Sequence, residues 1–150
     1  LHVAIAGRGE LEPQLRESAR RAHLSARFHL LGLRSDVGTV LAAADVFVLP
    51  SLSEGLPLAL VEAMLAARPI VASAVGEIPR VLDHGAAGVL VSPGDAAALA
   101  HALAALLADP TGARRLGAAA ARRAEREYSL PGMMERYAVL YRHLRDVATG

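Results

Sequence analysis

The sequence predicts an α/β fold built on a doubly wound parallel sheet. Its first two thirds alternate short, continuous apolar runs with segments of helical spacing. Strands that are apolar along their whole length are covered on both faces, which is typical of a parallel sheet between two layers of helices. The length of 150 residues, 53% of them hydrophobic, is that of one ordinary domain with a sizeable core.

Each element of the first two thirds follows from its own pattern. The predicted strands are residues 2–7, 26–32, 45–51, 69–73 and 88–93, and the predicted helices are residues 10–24, 36–44 and 57–66. Asp36 fits the N-cap of its helix, and Pro57 fits the first helical position, where its missing N–H costs nothing. Right-handed crossovers between these strands make the layer Rossmann-like.

The last third is predicted to be helical. An alanine-rich helix runs over residues 95–110, with Asp95 as its N-cap and Pro110 as its end, and a second covers residues 112–128. Pro131 is expected to open a third helix. Its apolar stripe, expected to pack or to contact another domain, comprises Met134, Tyr137, Leu140, Tyr141 and Leu144. Because no repeat or low-complexity linker interrupts the chain, residues 1–150 are predicted to form a single domain. The chain begins with Leu1 and not Met, and we expect it to be a fragment of a longer protein.

Composition narrows the function classes. Sixteen basic residues against fifteen acidic ones give a net charge of +1, so charge gives no reason to expect nucleic acid or an anionic membrane as a partner. All basic residues are arginine, which excludes a Schiff-base lysine within this chain. There is no cysteine, which suits a reducing compartment, and we expect a cytoplasmic location. No apolar run is long enough to cross a bilayer.

The loop after the strand at residues 45–51 is the first candidate site. In an open α/β sheet, ligands collect at the carboxyl ends of the strands and at helix starts. Glu54 lies in this loop, and the main-chain amides of Gly55, Leu56 and Leu58 are available to phosphate or sugar oxygens. Glycine at position 55 also lets a ligand approach the backbone closely.

Glu62 is the second candidate, because it lies in a helix that is otherwise apolar. Its neighbours Leu58, Val61, Met64 and Leu65 are expected to be buried. An ionised carboxylate in that setting costs several kcal/mol unless it meets donors. The vicinal hydroxyls of a ribose are two such donors, and Rossmann enzymes use a carboxylate to bind them. The alternative, which the residue pattern leaves equally open, is that Glu62 lies on the solvated stripe of an ordinary helix.

The two glutamates, separated by seven residues, belong to a longer pattern. The stretch from Ser53 to Pro57 followed by Glu62-Ala63-Met64 resembles the signature of retaining nucleotide-sugar glycosyltransferases with the two-domain GT-B fold. Supporting stretches occur in the family's order: AIAGRGE (4–10), HLLGLR (29–34), AADVFVLPS (43–51), RPIVAS (68–73), VGEIP (75–79) and GVLVSPGD (88–95). The resemblance covers essentially the whole chain, as the carboxyl-terminal, donor-binding half of such an enzyme.

The resemblance implies a role for each candidate. Glu62 would accept hydrogen bonds from the ribose, and Glu54 would face the donor sugar as the catalytic residue. The amides of Gly55, Leu56 and Leu58 would hold sugar hydroxyls and the pyrophosphate. The loop that would border the nucleobase comprises Gly32, Leu33 and Arg34, and the loop that would shape the cleft near the diphosphate contains Gly7 and Gly9. The family needs no cofactor and no bound metal for chemistry.

The chain also departs from the family pattern. The family has an earlier strand and helix, which supply an arginine and a lysine to the pyrophosphate, and that strand is central in the order 3-2-1-4-5-6. We therefore expect the sheet to lack its middle, and an amino-terminal acceptor domain to be missing. The isolated chain is expected to bind a nucleoside diphosphate weakly and to transfer no sugar. Glu77 and Arg80 replace a glycine and a glutamate near the donor sugar, and Ala67 replaces the glycine that ends a helix.

Other functions remain as alternatives. Gly7-Arg8-Gly9 suggests dinucleotide binding, but position 12 is Glu where that motif needs its third glycine. The histidines form no helical metal pair, and the arginine pairs at 114–115 and 122–123 read as a solvated helix face. A non-catalytic Rossmann-like interaction module with a vestigial nucleotide pocket is one alternative function, and a nucleotide-sugar epimerase of the same architecture is another. Peripheral membrane contact is expected only through the missing domain.

Overall fold

The computed structural model describes the backbone of residues 1–148 and the side chains of residues 1–145. The chain divides into two compact units, the first being Leu1–Val40 and the second beginning at Leu41. All five predicted strands are present, and they form two separate parallel sheets. The α/β fold class is confirmed. The domain count for the whole protein stays a prediction.

The first unit is one β-α-β crossover. Strand β1 (Val3–Ala6) pairs in parallel with β2 (Phe28–Gly32), with a register irregularity between Ile5 and Ala6. Helix α1 (Glu12–Arg21) and a short 3-10 turn connect them. All four residues of β1 are exposed, so the expectation that every strand is covered on both faces is wrong here. A forty-residue unit with one complete helix has too little chain to bury both faces of a sheet.

The second unit contains the larger sheet. Strands β3 (Phe47–Leu49), β4 (Ile70–Ser73) and β5 (Val89–Val91) run parallel in the order β3-β4-β5. The helices are α2 (Val37–Ala42), which spans the boundary between units, α3 (Leu58–Leu65), α4 (Ile78–Val81), α5 (Ala96–Ala108), α6 (Pro110–Glu127) and α7 (Leu130–Ala148). In the order 3-2-1-4-5-6, strand 1 is the one that this chain is expected to lack. Without it, strands 3-2 and strands 4-5-6 remain, which agrees with the observed sheets of two and three strands.

The core of the second unit is formed around β4, whose four residues are all buried. Leu60 and Met64 of α3 and Ile78 of α4 are also fully buried, and each contributes about 1.5–3 kcal/mol to stability. Helix α6 crosses close to the end of α3, because Gly117 has no side chain there. A Cβ at Gly117 would overlap the carbonyl oxygen of Ala67.

Two details of the carboxyl-terminal helices differ from expectation, and one short helix before them was not expected. Asp95 caps α5 as predicted, accepting the N–H of Ala98 at 2.8 Å. Pro110, however, opens α6, because Asp109 both ends α5 and accepts the N–H of Gly112 at 2.9 Å. Helix α7 is present, but its predicted apolar stripe is exposed and does not pack within the described part of the chain. The unpredicted α4 is one turn long, too short for a periodicity signal.

Candidate functional site

The loop between β3 and α3 holds Glu54 at the carboxyl end of the sheet, as predicted. The hydroxyl of Ser51 donates to Oε1 of Glu54 at 2.8 Å, and Glu54 is half-buried. Pro57 has an extended backbone, with φ −73° and ψ 118°, and lies immediately before α3. It is therefore the N-cap residue and not the first helical residue. Glu54 is thus held by a neighbouring side chain at the edge where ligands of parallel sheets bind.

Three main-chain amides remain free beside Glu54. The N–H groups of Gly55, Leu56 and Leu58 donate no hydrogen bond to any described residue. The first amides of a helix lack intrahelical acceptors, and the helix dipole adds partial positive charge at the same end. These donors suit phosphate or hydroxyl oxygens, as the sequence predicts.

Glu62 is exposed, and the predicted burial of its four apolar neighbours is confirmed for two of them and wrong for the other two. Val61 and Met64 are buried, but the exposed fractions of Leu58 and Leu65 are 72% and 47%. Helix α3 packs against α6 and turns Leu58, Glu62 and Leu65 outward, at spacings of four and three residues. The carboxylate of Glu62 accepts no hydrogen bond from the described residues.

The outward stripe of α3 nevertheless differs from an ordinary solvated helix face. Such a face is polar or charged along its length, whereas here Glu62 is the one polar member and Leu58, Ala59 and Leu65 are apolar. Leu56, in the preceding loop, is also exposed, at 46%. A single free carboxylate amid accessible apolar side chains suits a ligand with both hydroxyl groups and a nonpolar face.

The other predicted site residues lie in the first unit, at the carboxyl ends of its two strands. The N–H of Gly7 donates to the carbonyl of Gly32 at 2.8 Å, which holds the ends of β1 and β2 together. Both glycines have positive φ, 135° and 65°, which explains why glycine occurs at each position. Leu33 is 76% exposed, and the carbonyl of Gly9 accepts the N–H of Glu12 at 3.2 Å.

Arg34 is already paired within this unit. Its guanidinium donates two hydrogen bonds to the carboxylate of Asp36, at 2.7 and 2.6 Å. These bonds lower the pKa of Asp36 and raise the pKa of Arg34 from their ordinary values. The carboxylate of Asp36 does not cap α2 as predicted; its carbonyl accepts the N–H groups of Thr39 and Val40 instead. A ligand of Arg34 would have to share it with Asp36.

Two supporting residues were not singled out by their spacing. Ser51 contacts Glu54. A serine three residues before the glutamate in a turn is a sequence pattern that predicts such a contact. Gly76 has φ +52° and lies against the backbone of Glu54, and an isolated glycine after a strand is only a weak signal for such a contact.

The described residues show one more feature at this edge. A cavity of about 140 Å³ lies near the ends of the three strands, lined by residues that include Pro50, Ser73, Ser92 and Asp95, but not by Glu54 or Glu62. No cluster of three metal-ligating side chains occurs among the described residues. Among them, too, no single helix is long and apolar enough to cross a membrane, although α5 and the helices after it, bent by 105°, pass that test together.

Parallel strands joined by helical connections define a Rossmann-like class of α/β protein. The family model described as glycosyl transferases group 1 matches residues 1–109. The chain belongs to this family, and its fold is the one found in GT-B glycosyltransferases.

Individual relatives agree with this assignment. The chain is 44% identical over 110 residues to the phosphatidyl-myo-inositol mannosyltransferase of Mycobacterium leprae, covering 71% of this chain and 29% of that protein. It is 38% identical over 107 residues to the amylovoran biosynthesis glycosyltransferase AmsK of Erwinia amylovora, covering 66% and 26%. The crystal structure of Anabaena Alr3699/HepE in complex with UDP-glucose is similar with a TM-score of 0.88 at 25% identity, covering 95% of this chain and 41% of that one. The chain therefore spans little more than a quarter of the two curated relatives.

Proposed function

We propose that this chain is the donor-binding half of a retaining glycosyltransferase, and that it binds a nucleoside-diphosphate sugar. The observation on which the proposal depends is the free carboxylate of Glu62, one helical turn after the unbonded amide of Leu58, which follows the unbonded amides of Gly55 and Leu56 in the preceding loop. The amides suit the sugar hydroxyls and the diphosphate of such a donor, and the carboxylate suits a diol.

Each group has a place in the proposed reaction. The bond between the anomeric carbon and the diphosphate oxygen breaks, so negative charge grows on the leaving diphosphate and positive charge on the sugar. The amides at the start of α3 and the helix dipole stabilise the diphosphate. The carboxylate of Glu54, oriented by Ser51, lies beside the sugar and stabilises its oxocarbenium character. Retention requires the acceptor hydroxyl oxygen to bond to the anomeric carbon on the face from which the diphosphate departs, and the hydroxyl proton passes to the departing diphosphate oxygen.

Within the first unit, taken by itself, the residues that the family resemblance assigns to the nucleotide are also accessible. The exposed side chain of Leu33 offers an apolar contact to the nucleobase. The turns at Gly7 and Gly32 keep the backbone open to the base and the diphosphate, because neither glycine has a heavy atom within 4 Å of where a Cβ would stand. Arg34 would border the nucleotide in this proposal, and its guanidinium is paired with Asp36.

The chain alone is proposed to bind but not to catalyse. The acceptor site would lie on an amino-terminal domain, the curated relatives are much longer than this chain, and the sequence contains no lysine to neutralise the diphosphate. We propose that the reaction needs no metal, and a cytoplasmic location is part of the same proposal. The epimerase alternative is separated from transfer by product analysis with the full-length protein and its acceptor.

Calorimetric titration with UDP, GDP and ADP tests the proposal. We expect saturable binding of at least one nucleotide, weakened at least tenfold, or about 1.4 kcal/mol, by Glu62→Ala. The matched control is Glu125→Ala, because Glu125 is an exposed glutamate of α6 without a bond in the described part of the chain. Equal effects of the two substitutions would contradict the role of Glu62. No binding of any nucleotide, even by a longer chain extended upstream, would favour the non-catalytic interaction module.

A further inference from the structure

The loop between β4 and α4, residues 74–77, lies directly against the backbone of Glu54 and Gly55. The N–H of Glu77 donates to the carbonyl of Gly55 at 3.3 Å. Gly76 has φ +52°, and a Cβ there would overlap the carbonyl oxygen of Glu54 and lie 2.9 Å from its carbonyl carbon. The two loops therefore approach to a distance that only glycine at position 76 permits.

Loop 74–77 is itself fixed to the core of the second unit. At its start, the N–H of Ala74 extends the sheet by donating to the carbonyl of Val91 at 2.8 Å. At its end, Ile78 and Val81 of α4 are fully buried. Because both ends are anchored, contact with this loop fixes the backbone of Glu54 and Gly55 relative to the sheet.

The Glu54–Gly55 turn is thus held from two sides. Ser51 holds the carboxylate of Glu54, and Gly76 and Glu77 hold the main chain. We propose that Gly76 is a positioning residue that sets where the Glu54 carboxylate and the Gly55 amide meet the donor sugar. This inference rests on the proposed function, since it takes Glu54 to face the sugar.

The inference predicts a selective effect on the sugar. Glu62 stands on α3 and is not contacted by Gly76, so nucleotide recognition through Glu62 does not depend on loop 74–77. A shift of the Glu54–Gly55 turn instead alters the groups proposed to contact the sugar. The informative quantity is the ratio of the dissociation constants of a nucleoside diphosphate and of its sugar conjugate.

The matched pair of variants is Gly76→Ala and Gly94→Ala. Both glycines are left-handed, with φ of +52° and +76°, so both substitutions introduce similar backbone strain. Only Gly76 is crowded, because the nearest heavy atom to a Cβ at Gly94 is a methyl of Leu52, 3.9 Å away. The probes are UDP and UDP-glucose, or GDP or ADP and their glucose conjugates if UDP does not bind. We expect Gly76→Ala to reduce the ratio of the dissociation constant of the diphosphate to that of its sugar conjugate at least tenfold. The affinity for the diphosphate alone should change less than threefold, and Gly94→Ala should leave the ratio within twofold of the wild type.

A third variant tests the same contact without adding a side chain. Glu77→Pro removes the N–H that donates to Gly55, and φ at position 77 is −83°, near the value that proline fixes. It should lower the same ratio in the same direction as Gly76→Ala, and circular dichroism verifies that each variant is folded. A folded Gly76→Ala variant with the wild-type ratio would overturn the inference. Loss of fold by both Gly76→Ala and Glu77→Pro would also overturn it, by assigning the loop a purely structural role.

NMR of the backbone amides in the ligand-free chain tests this inference independently of the proposed function. Gly76→Ala should shift the backbone signals of Glu54 and Gly55, whereas Gly94→Ala should leave them in place. If the wild-type chain binds no nucleotide, the proposed function fails, and these resonances alone decide whether Gly76 positions the turn. Unshifted signals in Gly76→Ala would refute the positioning role whatever the chain binds.

Discussion

Replacing Ala67 by glycine is expected to stabilise the second unit, because Ala67 has a left-handed backbone with φ +53°. It lies just beyond α3, where its N–H bonds to the carbonyl of Met64 at 2.9 Å and the N–H of Arg68 bonds to that of Ala63 at 3.0 Å. These two bonds form a Schellman motif, whose left-handed position is usually glycine. The resemblance to the family predicts a glycine-type position here, and the backbone angle confirms it.

The expected change in the free energy of unfolding on Ala67→Gly is the sum of three effects, one favourable and two unfavourable. An L-residue in the left-handed region costs about 1–2 kcal/mol, which glycine recovers. Glycine gives the unfolded chain extra freedom worth about 0.4–1 kcal/mol, and removing a half-buried methyl loses about half of the 0.8 kcal/mol for a buried CH₂. The net gain is about 0.5 kcal/mol. At Ala66, where φ is −76°, the same substitution relieves no strain and should destabilise by about 1 kcal/mol.

Urea unfolding of the two variants measures this difference. All three tyrosines, at positions 128, 137 and 141, lie in the second unit and the chain has no tryptophan, so tyrosine fluorescence reports on that unit. We expect the free energies of unfolding of Ala67→Gly and Ala66→Gly to differ by about 1.5 kcal/mol, with an unchanged m-value. This difference equals the backbone strain at Ala67. If Ala67→Gly destabilised the unit as much as Ala66→Gly, the left-handed backbone at this position would be refuted.

Two further predictions concern the contribution of charged groups to stability. Arg123→Ala should cost about 2 kcal/mol in urea unfolding, because its largely buried guanidinium donates two 2.8 Å bonds to carbonyls at the end of α4. The neighbouring exposed Arg122→Ala should cost less than about 0.5 kcal/mol, and a similar loss in both would contradict the assignment. Asp36 has a pKa lowered from 3.8 by Arg34, so its contribution to folding is present above that value and is lost as the pH falls through its folded-state pKa. Unit 1, followed by amide exchange, should therefore weaken on acidification below about pH 4 more in the wild type than in Asp36→Asn, and identical pH profiles would contradict this.

The strands and helices are predictable because their signals are local. Continuous apolar runs mark all five strands, and Asp95 marks the start of α5 because a capping carboxylate acts within one turn of its own helix. Helix ends are less predictable: Asp109 and Pro110 read equally well as the end of one helix or the start of the next, and both functions coincide there. The exposure of β1 is not a local property, because it depends on how much chain is available to cover the strand.

In the candidate site, too, features set by nearby residues are predictable and features set by distant contacts are not. The position of Glu54 at the end of β3 follows from the order of elements, and its contact with Ser51 is close in sequence. The support from Gly76 joins loops more than twenty residues apart, so no spacing within one motif reveals it. The exposure of Glu62 depends on which side of α3 meets α6, and an almost uniformly apolar helix gives no clear preference for one side.

The exposure of Glu62 changes the energetic argument for its role without removing it. A buried, unpaired carboxylate would need a ligand in order to be tolerated, whereas an exposed one is already hydrated. It therefore gains only the net worth of a hydrogen bond to a charged group, about 1.5–3 kcal/mol, when hydroxyl groups replace water. Its contribution to affinity then depends on how far the ligand excludes water from the apolar side chains around it, Leu58 and Leu65. These side chains are accessible on the second unit, so desolvation at Glu62 has to come from the ligand or from further protein. This is the physical reason to expect weak nucleotide binding by the chain alone and tighter binding by a longer protein that covers this face.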